Sequence, residues 1–124
     1  MQTIIVIDDS QAARELLSEV LSAAGYALIM AVDGQQGLDT VRAHPEASLA
    51  ICDLHMPGLS GLEVLAALHK EQQNGALPLP FLMVTTEARR DVLDQARALG
   101  AKGWMVKPFK TPMLLSVVRK LARP

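Results

Sequence analysis

The chain has 124 residues, half of them hydrophobic, which predicts one domain that buries its own core without disulfides or structural metals. A formal net charge of −1 gives no basic bias, which argues against nucleic acid or an anionic membrane as a direct partner. The single cysteine, Cys52, excludes an internal disulfide and fits a reducing compartment. The first residues predict neither a signal peptide nor a membrane span, so we expect a cytoplasmic protein.

Five short apolar runs, each followed by a polar or turn segment, predict the strands of a sheet. The run at residues 49–52 is apolar at consecutive positions and Asp53 ends it, which is typical of a strand buried on both faces in a parallel sheet. The β-branched run at residues 4–7 has the same character. Three further strands are predicted at residues 27–32, 81–84 and 103–107.

The helix after the first strand has the clearest pattern. Asp9 or Ser10 can cap its start, and Gly25 ends it. We expect Arg14 and the other polar residues of this segment to face water. The expected buried face has the three-and-four spacing of an amphipathic helix and consists of Ala13, Leu16, Leu17, Val20, Leu21 and Ala24.

Capping signals mark the later helices. Ser60 and Glu63 have the spacing of a capping box at the start of the third helix, and residues 72–79 are predicted to form a loop. Thr111 is predicted as the N-cap of the last helix, with Pro112 at its first helical position. The whole chain therefore alternates strand and helix.

Strict alternation at this length predicts an α/β fold, a doubly wound parallel sheet of five strands with five helices in a single domain. Such a sheet brings the carboxyl ends of its strands to one edge, where these folds bind their ligands. Polar residues lie at or directly after the carboxyl ends of four predicted strands, namely Asp8-Asp9, Asp53, Thr85-Thr86 and Lys107.

The carboxylates of Asp8, Asp9 and Asp53 would meet at this edge and repel one another. At about 4 Å each pair costs on the order of 4 kcal/mol at a surface-like dielectric, so the cluster requires a cation or a raised pKa. An all-oxygen site with retained waters suits Mg²⁺, and the sequence has no Cys or His cluster that would indicate a softer metal. The three histidines share no ligand spacing, and we expect them to be solvated or locally bonded.

With these residues the chain resembles, over its whole length, a response-regulator receiver domain of the CheY-like type. The resemblance implies a flavodoxin-like sheet with strand order 2-1-3-4-5 and a role in two-component signalling. The features that match are Asp8-Asp9 after Ile-Val-Ile, Asp53 with Met56-Pro57-Gly58 behind it, Thr85 after Met-Val, and Lys107-Pro108-Phe109.

The resemblance also implies a role for each acidic residue. Asp53 would accept a phosphoryl group from a phosphohistidine on a histidine kinase or a histidine phosphotransfer protein. Asp9, Asp53 and the backbone carbonyl of His55 would hold Mg²⁺, and Asp8 would assist through water. The protein would then catalyse only its own phosphorylation and dephosphorylation.

Further residues complete the implied site. Lys107 would pair with a phosphoryl oxygen, the Thr85 hydroxyl would donate to another, and the Thr86 backbone N–H would help. This agrees with the chemistry, since a carboxylate nucleophile leaves mainly positioning and charge neutralisation to its neighbours. In the family, the side chains two residues after the phosphorylated Asp and two after the Thr tune hydrolysis. Here they are His55 and Glu87, a pair that could contact each other.

The switch of the family couples the Thr to an aromatic residue three places before the Lys, which here is Trp104. Indole is larger than the usual Tyr or Phe side chain and carries an N–H donor. Thr86 adds bulk where a small residue is common. Phosphorylation would change the face formed by the last two helices and the last strand, where a downstream protein would bind. A partner site and a solvated surface explain equally well the basic residues on or near that face, Arg89, Arg90, Lys102, Lys110 and Arg119.

Each position has an ordinary explanation when it is taken alone. Asp8-Asp9 would be a helix cap, Lys107 a solvated surface lysine, Thr85 a strand residue and Trp104 plain packing. Their coincidence at the expected strand ends favours the receiver interpretation.

The leading hypothesis is a stand-alone phosphorylation switch. The alternatives are the receiver portion of a longer response regulator or hybrid kinase, and a binding module that is not phosphorylated. An aspartate-nucleophile phosphatase is disfavoured, because such enzymes carry a second Asp two residues after the nucleophile, and neither Asp53 nor Asp8 has one. The sequence also lacks a Walker-type loop and a GxGxxG turn, which argues against a nucleotide enzyme.

Overall fold

The computed structural model of the protein describes residues 1–76 and 78–124. Its parallel strands form one sheet in the order β2-β1-β3-β4-β5. The strands are β1 (Thr3–Ile7), β2 (Ala27–Ala31), β3 (Leu49–Cys52), β4 (Phe81–Thr85) and β5 (Gly103–Val106). The helices are α1 (Gln11–Ala23), α2 (Gly34–Ala43), α3 (Gly61–Gln73), α4 (Arg90–Ala98) and α5 (Thr111–Leu121). The predicted α/β class, the doubly wound sheet and the 2-1-3-4-5 order are confirmed.

The predicted element boundaries agree closely with the structure, and every strand ends within one residue of its expected limits. The capping box at α3 is formed, since the Ser60 hydroxyl accepts from the Glu63 N–H and the Glu63 carboxylate accepts from the Ser60 N–H. The predicted loop at residues 72–79 was too long, because α3 continues to Gln73. Leu77 of that loop lies outside the described residues.

The start of α5 differs from the prediction by one residue. Lys110, rather than Thr111, is the N-cap, because the Leu114 N–H donates to the Lys110 carbonyl at 3.1 Å. Pro112 is tolerated in the first turn because the N–H groups there have no partner within the helix. The helix therefore starts directly after the loop that carries Lys107.

The core lies in two layers, one on each face of the sheet, because the side chains of each strand alternate between the faces. Ile5 and Ile7 of β1 pack under α2, α3 and α4, whereas Ile4 and Val6 pack under α1 and α5. All four side chains are fully buried, as predicted for a strand covered on both sides. The sheet is thus a rigid support for whatever lies at its carboxyl edge.

Helix α1 buries a narrower face than its apolar pattern predicts. Leu17 and Leu21 are buried, but Leu16 is 49% exposed and Ala24 is also exposed, so their placement on the buried face was wrong. Successive helical residues differ by about 100° in direction, which turns Leu16 away from the sheet when Leu17 points into it. Leu16 instead borders a groove with Phe109, next to the carboxyl edge.

Among the described residues, no helix combines the length and the apolar character that a membrane span requires.

The first turn of α3 approaches the backbone of Asp53 so closely that a side chain there would collide with it. A Cβ on Gly61 would lie 2.8 Å from the Leu54 Cα and nearer still to the Asp53 carbonyl oxygen. The Gly61 N–H donates to the Leu54 carbonyl at 2.7 Å, which ties the helix to this segment. Gly61 therefore helps to fix the position of Asp53, the residue that follows β3.

We expect Gly61→Ala to lower the free energy of unfolding by about 1–3 kcal/mol, the usual cost of overpacking. The sign is informative, because Gly to Ala in a helix ordinarily stabilises by about 0.5–1 kcal/mol. Denaturant unfolding measures the change. Lys70→Ala, at an exposed position of the same helix, is the control and should change stability by less than about 0.5 kcal/mol. A Gly61→Ala variant as stable as the wild type would contradict the close approach.

Candidate functional site

The register of the central strands places two carboxylates side by side. Ile7 of β1 is level with Cys52 of β3, so Asp8 and Asp53 leave the sheet at the same height. The Asp53 N–H donates to the Ile7 carbonyl at 3.0 Å, which extends the pairing by one step. Asp8 and Asp53 are only 2% and 9% exposed, so both charges are largely removed from water.

Asp9 completes a cluster of three carboxylates. Oxygen atoms of Asp8, Asp9 and Asp53 lie within 4.8 Å of one another, and the Asp9 side chain faces solvent. The Asp8 Oδ1 accepts from the Ser10 N–H at 2.9 Å, and the Asp53 Oδ1 accepts from the Leu54 N–H at 2.6 Å. These bonds orient both carboxylates. A site made of hard oxygen ligands fits Mg²⁺ better than a thiophilic metal.

Lys107 supplies the positive charge that this cluster needs. Its Nζ lies 2.8 Å from the Asp8 Oδ2 and 3.2 Å from the Asp53 Oδ2. Partial burial by itself would lower the pKa of Lys107, but the hydrogen bonds and charges of the two carboxylates outweigh it and raise the pKa above its usual value. Lys107 is therefore charged at neutral pH, and it holds the ends of β1 and β3 together.

Thr85 and Thr86 lie at the same edge, at the end of β4. Thr85 is fully buried, its hydroxyl accepts from the Glu87 N–H at 3.3 Å, and its carbonyl accepts from the Lys107 N–H at 2.8 Å. Thr86 is exposed and borders the groove that Lys107 also lines. The structure thus brings all the residues predicted from the strand ends into one region.

The predicted contact between His55 and Glu87 is present. The His55 Nε2 lies 3.2 Å from the Glu87 Oε1, which joins the segment after β3 to the segment after β4. The Glu87 Oε2 also accepts from the Arg89 N–H at 3.1 Å, at the start of α4. Chiefly this backbone bond, and then the His55 side chain, hold the pKa of Glu87 below its ordinary value. Glu87 is therefore an ionised side chain that hydrogen bonds hold in place beside the carboxylate cluster.

Trp104 lies on β5, level with Met83 on β4. Its ring is partly buried against the core, and its Nε1–H donates to the backbone carbonyl of Glu87 at 3.0 Å. The N–H donor that distinguishes indole from phenyl therefore forms a hydrogen bond in this structure. Glu87 is the residue that links Trp104 to His55.

Arg14 is a site neighbour that the sequence pattern assigned to solvent, and that assignment was wrong. It is partly buried, and its Nη1 donates to the Asp8 carbonyl at 2.6 Å. The position one turn into α1 allows a long side chain to reach back to the end of β1. The spacing of residues gave no signal for this contact, because it depends on how far a long side chain reaches.

The basic residues predicted for the face of α4, β5 and α5 are partly neutralised. Arg89 forms an ion pair with Asp91 at 2.6 Å, and Arg90 lies 3.6 Å from Asp94 on the same helix. Exposed pairs of this kind contribute little stability, but they reduce the net positive charge that a partner would meet. These contacts are compatible with a solvated surface and with a partner site, so both explanations stay open for the arginines at the start of α4.

Cys52, directly before Asp53, is fully buried. Burial, and then the neighbouring carboxylates Asp53 and Asp8, raise the pKa of its thiol far above the usual range. Because the thiolate is the reactive form, Cys52 is an inert packing residue.

Comparison with known proteins identifies the family. The family model of the response regulator receiver domain matches residues 4–119. The chemotaxis protein CheY of Pseudomonas aeruginosa is 30% identical over 95% of this chain and 94% of CheY. A probable transcriptional regulator, ycf27 of Porphyridium aerugineum, is 38% identical over 98% of this chain but only 48% of the regulator. The chain thus spans about half or less of the length of several curated relatives, including 16% of a sensory/regulatory protein of Xanthomonas campestris.

Solved structures give the same assignment. CheY4 of Vibrio cholerae is 32% identical over 98% of both chains and superposes with a TM-score of 0.86. The response regulator TrrA of Thermotoga maritima, solved in complex with Mg²⁺ and a beryllium fluoride, is 31% identical over 98% of this chain and 99% of that one, with a TM-score of 0.84. The chain therefore belongs to the CheY-like response regulator receiver domains of two-component signalling.

Proposed function

We propose that the protein is a phosphorylation-activated switch in which Asp53 accepts a phosphoryl group from a phosphohistidine. The observation that carries the proposal is the grouping of Asp53 with two further carboxylates within 4.8 Å and with the Lys107 Nζ at 3.2 Å. The donor would be a histidine kinase or a histidine phosphotransfer protein. Asp53 follows the last residue of β3 at the carboxyl edge of the sheet, and its side chain keeps an exposed fraction of 12%.

In the transfer step, a bond forms between an Asp53 carboxylate oxygen and phosphorus as the bond from phosphorus to the donor's imidazole nitrogen breaks. The electron pair of the broken bond stays on the imidazole. The Leu54 N–H, 2.6 Å from the Asp53 Oδ1, orients the carboxylate for this attack. The Lys107 ammonium group would form an ion pair with one phosphoryl oxygen. The Thr85 hydroxyl and the Thr86 N–H would donate hydrogen bonds to the other phosphoryl oxygens.

The carboxylate cluster fits Mg²⁺ as the resident cofactor. Asp9, Asp53 and the backbone carbonyl of His55 would hold the ion, and Asp8 would assist through water. When bound, Mg²⁺ would neutralise the charge shared by the carboxylates and the phosphoryl oxygens. The similarity to Thermotoga TrrA, which was solved with Mg²⁺ and a beryllium fluoride, supports this assignment.

The lifetime of the phosphorylated state would depend on water. In hydrolysis a water oxygen attacks phosphorus, the bond from phosphorus to the Asp53 oxygen breaks, and the carboxylate and inorganic phosphate are released. The His55–Glu87 pair, closed at 3.2 Å beside Asp53, would limit the approach of that water. We assign lifetime tuning to these two residues.

The output would be a change on the face formed by α4, β5 and α5. Thr85 and Trp104 would act as the switch pair, because the phosphoryl group would draw the Thr85 hydroxyl and the Glu87 segment joins Thr85 to Trp104. A downstream protein would bind this face in the cytoplasm. In this proposal the protein catalyses only its own phosphorylation and dephosphorylation.

Phosphorylation of Asp53 can be tested directly. With Mg²⁺ and a small acyl phosphate, the wild-type protein should gain the mass of one phosphoryl group, and Asp53→Asn should gain none, as measured by intact-protein mass spectrometry. Asp39→Asn, which removes an exposed carboxylate on α2, is the matched control and should react like the wild type. If the wild-type protein stays unmodified under these conditions, the phosphorylation switch is refuted and the hypothesis of a binding module that is not phosphorylated is favoured.

Trp104 is the single tryptophan and reports whether the site communicates with the output face. We expect its fluorescence to change saturably when Mg²⁺ and then beryllofluoride, a stand-in for the phosphoryl group, are added. Asp53→Asn should abolish the beryllofluoride response. Phosphorylation without any fluorescence change would mean that the Asp53 site does not reach Trp104.

Lys107 and Mg²⁺ compete for the same carboxylates, so removing the lysine should affect both stability and metal binding. In the presence of a chelator, Lys107→Met should lower the free energy of unfolding by about 1.5–3 kcal/mol, the range for hydrogen bonds between charged groups. Its affinity for Mg²⁺ should exceed that of the wild type, so that added Mg²⁺ restores part of the loss. Unfolding at a series of Mg²⁺ concentrations measures both effects, with the exposed Lys102→Met as control. Equal Mg²⁺ affinities would refute the competition.

A further inference from the structure

We propose that Arg14 is a positioning residue for the magnesium site and that it acts on Asp9 through the peptide bond between Asp8 and Asp9. The inference rests on the proposed function, because it concerns a residue that would hold Mg²⁺ beside Asp53. It adds to that site a side chain from α1 whose contact is with the backbone of the cluster. The affinity of the site for Mg²⁺ would then depend on Arg14.

The Arg14 side chain supplies the donor that the end of β1 requires. Asp8 is 2% exposed, so its carbonyl has little access to water and needs a hydrogen bond from the protein. The Arg14 Nη1 donates to that carbonyl at 2.6 Å. The backbone of Arg14 is itself fixed, because its N–H donates to the Ser10 carbonyl at 3.0 Å and Leu17 anchors α1 in the core.

The peptide groups on both sides of Asp9 are held in place. A peptide group is planar, so a bond to the Asp8 carbonyl also restrains the nitrogen of Asp9, which lies in the same plane. On the other side of Asp9, the Ser10 N–H donates to the Asp8 Oδ1 at 2.9 Å. With both planes restrained, the direction in which the Asp9 side chain leaves the backbone is restrained as well.

Asp9 depends on this support more than the other two carboxylates do. Asp8 and Asp53 are largely buried, and each accepts from the Lys107 Nζ and from a backbone N–H. Asp9 is exposed, and no group in the described part of the chain donates a hydrogen bond to its carboxylate. Its position within 4.8 Å of the other carboxylates therefore depends on the backbone that carries it.

The charge of Arg14 and its position predict opposite effects on metal binding. A cation near the carboxylates repels Mg²⁺, so loss of the charge alone would tighten metal binding. Loss of the bond to the Asp8 carbonyl would let the Asp9 carboxylate point in other directions, which would weaken metal binding. We expect the second effect to dominate, because the bond is short and direct, whereas water screens charges near the exposed Asp9.

The affinity for Mg²⁺ tests the inference without any phosphorylation. The free energy of unfolding is measured at a series of Mg²⁺ concentrations, and its rise above the value in a chelator gives the dissociation constant. Arg14→Met keeps an apolar stem and removes the donors and the charge. It should weaken Mg²⁺ binding about 10- to 100-fold, as is usual when a group that orients a metal ligand is lost.

Arg42→Met is the matched control, because it removes the same charge from the exposed end of α2, where Arg42 pairs with Glu71. This variant should bind Mg²⁺ like the wild type. An affinity of Arg14→Met for Mg²⁺ that equals or exceeds that of the wild type would overturn the inference.

A double-mutant cycle shows whether Arg14 acts through Asp9. Asp9→Ala should weaken Mg²⁺ binding by itself, and the carboxylates of Asp8 and Asp53 remain to bind the ion weakly. In this background Arg14→Met should cause no further loss of affinity, because the carboxylate that Arg14 positions is absent. An equal loss in the wild-type and Asp9→Ala backgrounds would mean that Arg14 acts by another route, and the inference would be wrong.

If Arg14→Met does not fold, Arg14→Gln keeps a polar group at this partly buried position, but its amide is two bonds shorter than the Nη1 of arginine and should not reach the Asp8 carbonyl. The same loss of Mg²⁺ affinity is expected, and wild-type affinity would overturn the inference.

Phosphorylation by a small acyl phosphate gives a second measurement. In Arg14→Met the Mg²⁺ concentration for half-maximal phosphorylation should rise by the same factor as the dissociation constant, with the maximal rate unchanged. A lower maximal rate with an unchanged Mg²⁺ dependence would contradict a positioning role. Failure of the proposed function looks different, because then the wild-type protein takes up no phosphoryl group, whereas the Mg²⁺ affinities are measured independently.

Discussion

Two largely buried carboxylates share one lysine at the carboxyl edge of the sheet, and the rest of the site is arranged around this triad. Asp8 and Asp53 follow directly after paired residues of β1 and β3, so the register of the two strands places the two carboxylates next to each other. Their mutual repulsion is offset by the Lys107 Nζ, at 2.8 Å and 3.2 Å. Any cation or phosphoryl group that enters the site must rearrange this balance, and that sensitivity makes the edge suitable for a switch.

The triad lies between a rigid sheet on one side and less constrained loops on the other. The strands beneath it are buried on both faces by two core layers, and Gly61 lets α3 pack directly onto the Asp53 backbone. The groups above it lie on loops, and His55 is largely exposed. The sheet beneath the triad is therefore tightly constrained by packing, whereas the loops after β3 and β4 are less constrained.

Much of this arrangement could be predicted from the sequence, because hydrophobic period and strand-helix alternation determine which residues end the strands. The topology of a parallel sheet then brings Asp8, Asp53 and Lys107 together without any knowledge of side-chain contacts. The predictions were wrong where the outcome depends on the direction of a side chain around a helix or on how far a side chain reaches across a loop. Leu16 satisfies the three-and-four spacing yet faces solvent, and Arg14 looks like a surface residue yet folds back onto the Asp8 carbonyl. Neither outcome is encoded in the spacing of residues along the chain.

The bond between Trp104 and Glu87 shows why the finer part of the site needs coordinates. The two residues are 17 positions apart and the acceptor is a backbone carbonyl. Every residue type has this carbonyl, so the identity of residue 87 does not predict the contact. The side chain of the same residue meets His55, and its N–H meets Thr85. Because the N–H, the carbonyl and the side chain of Glu87 share one Cα, a movement that improves one of these bonds changes the geometry of the other two. Glu87 therefore joins Thr85, His55 and Trp104 through one residue, and none of these three contacts can be altered without affecting the others.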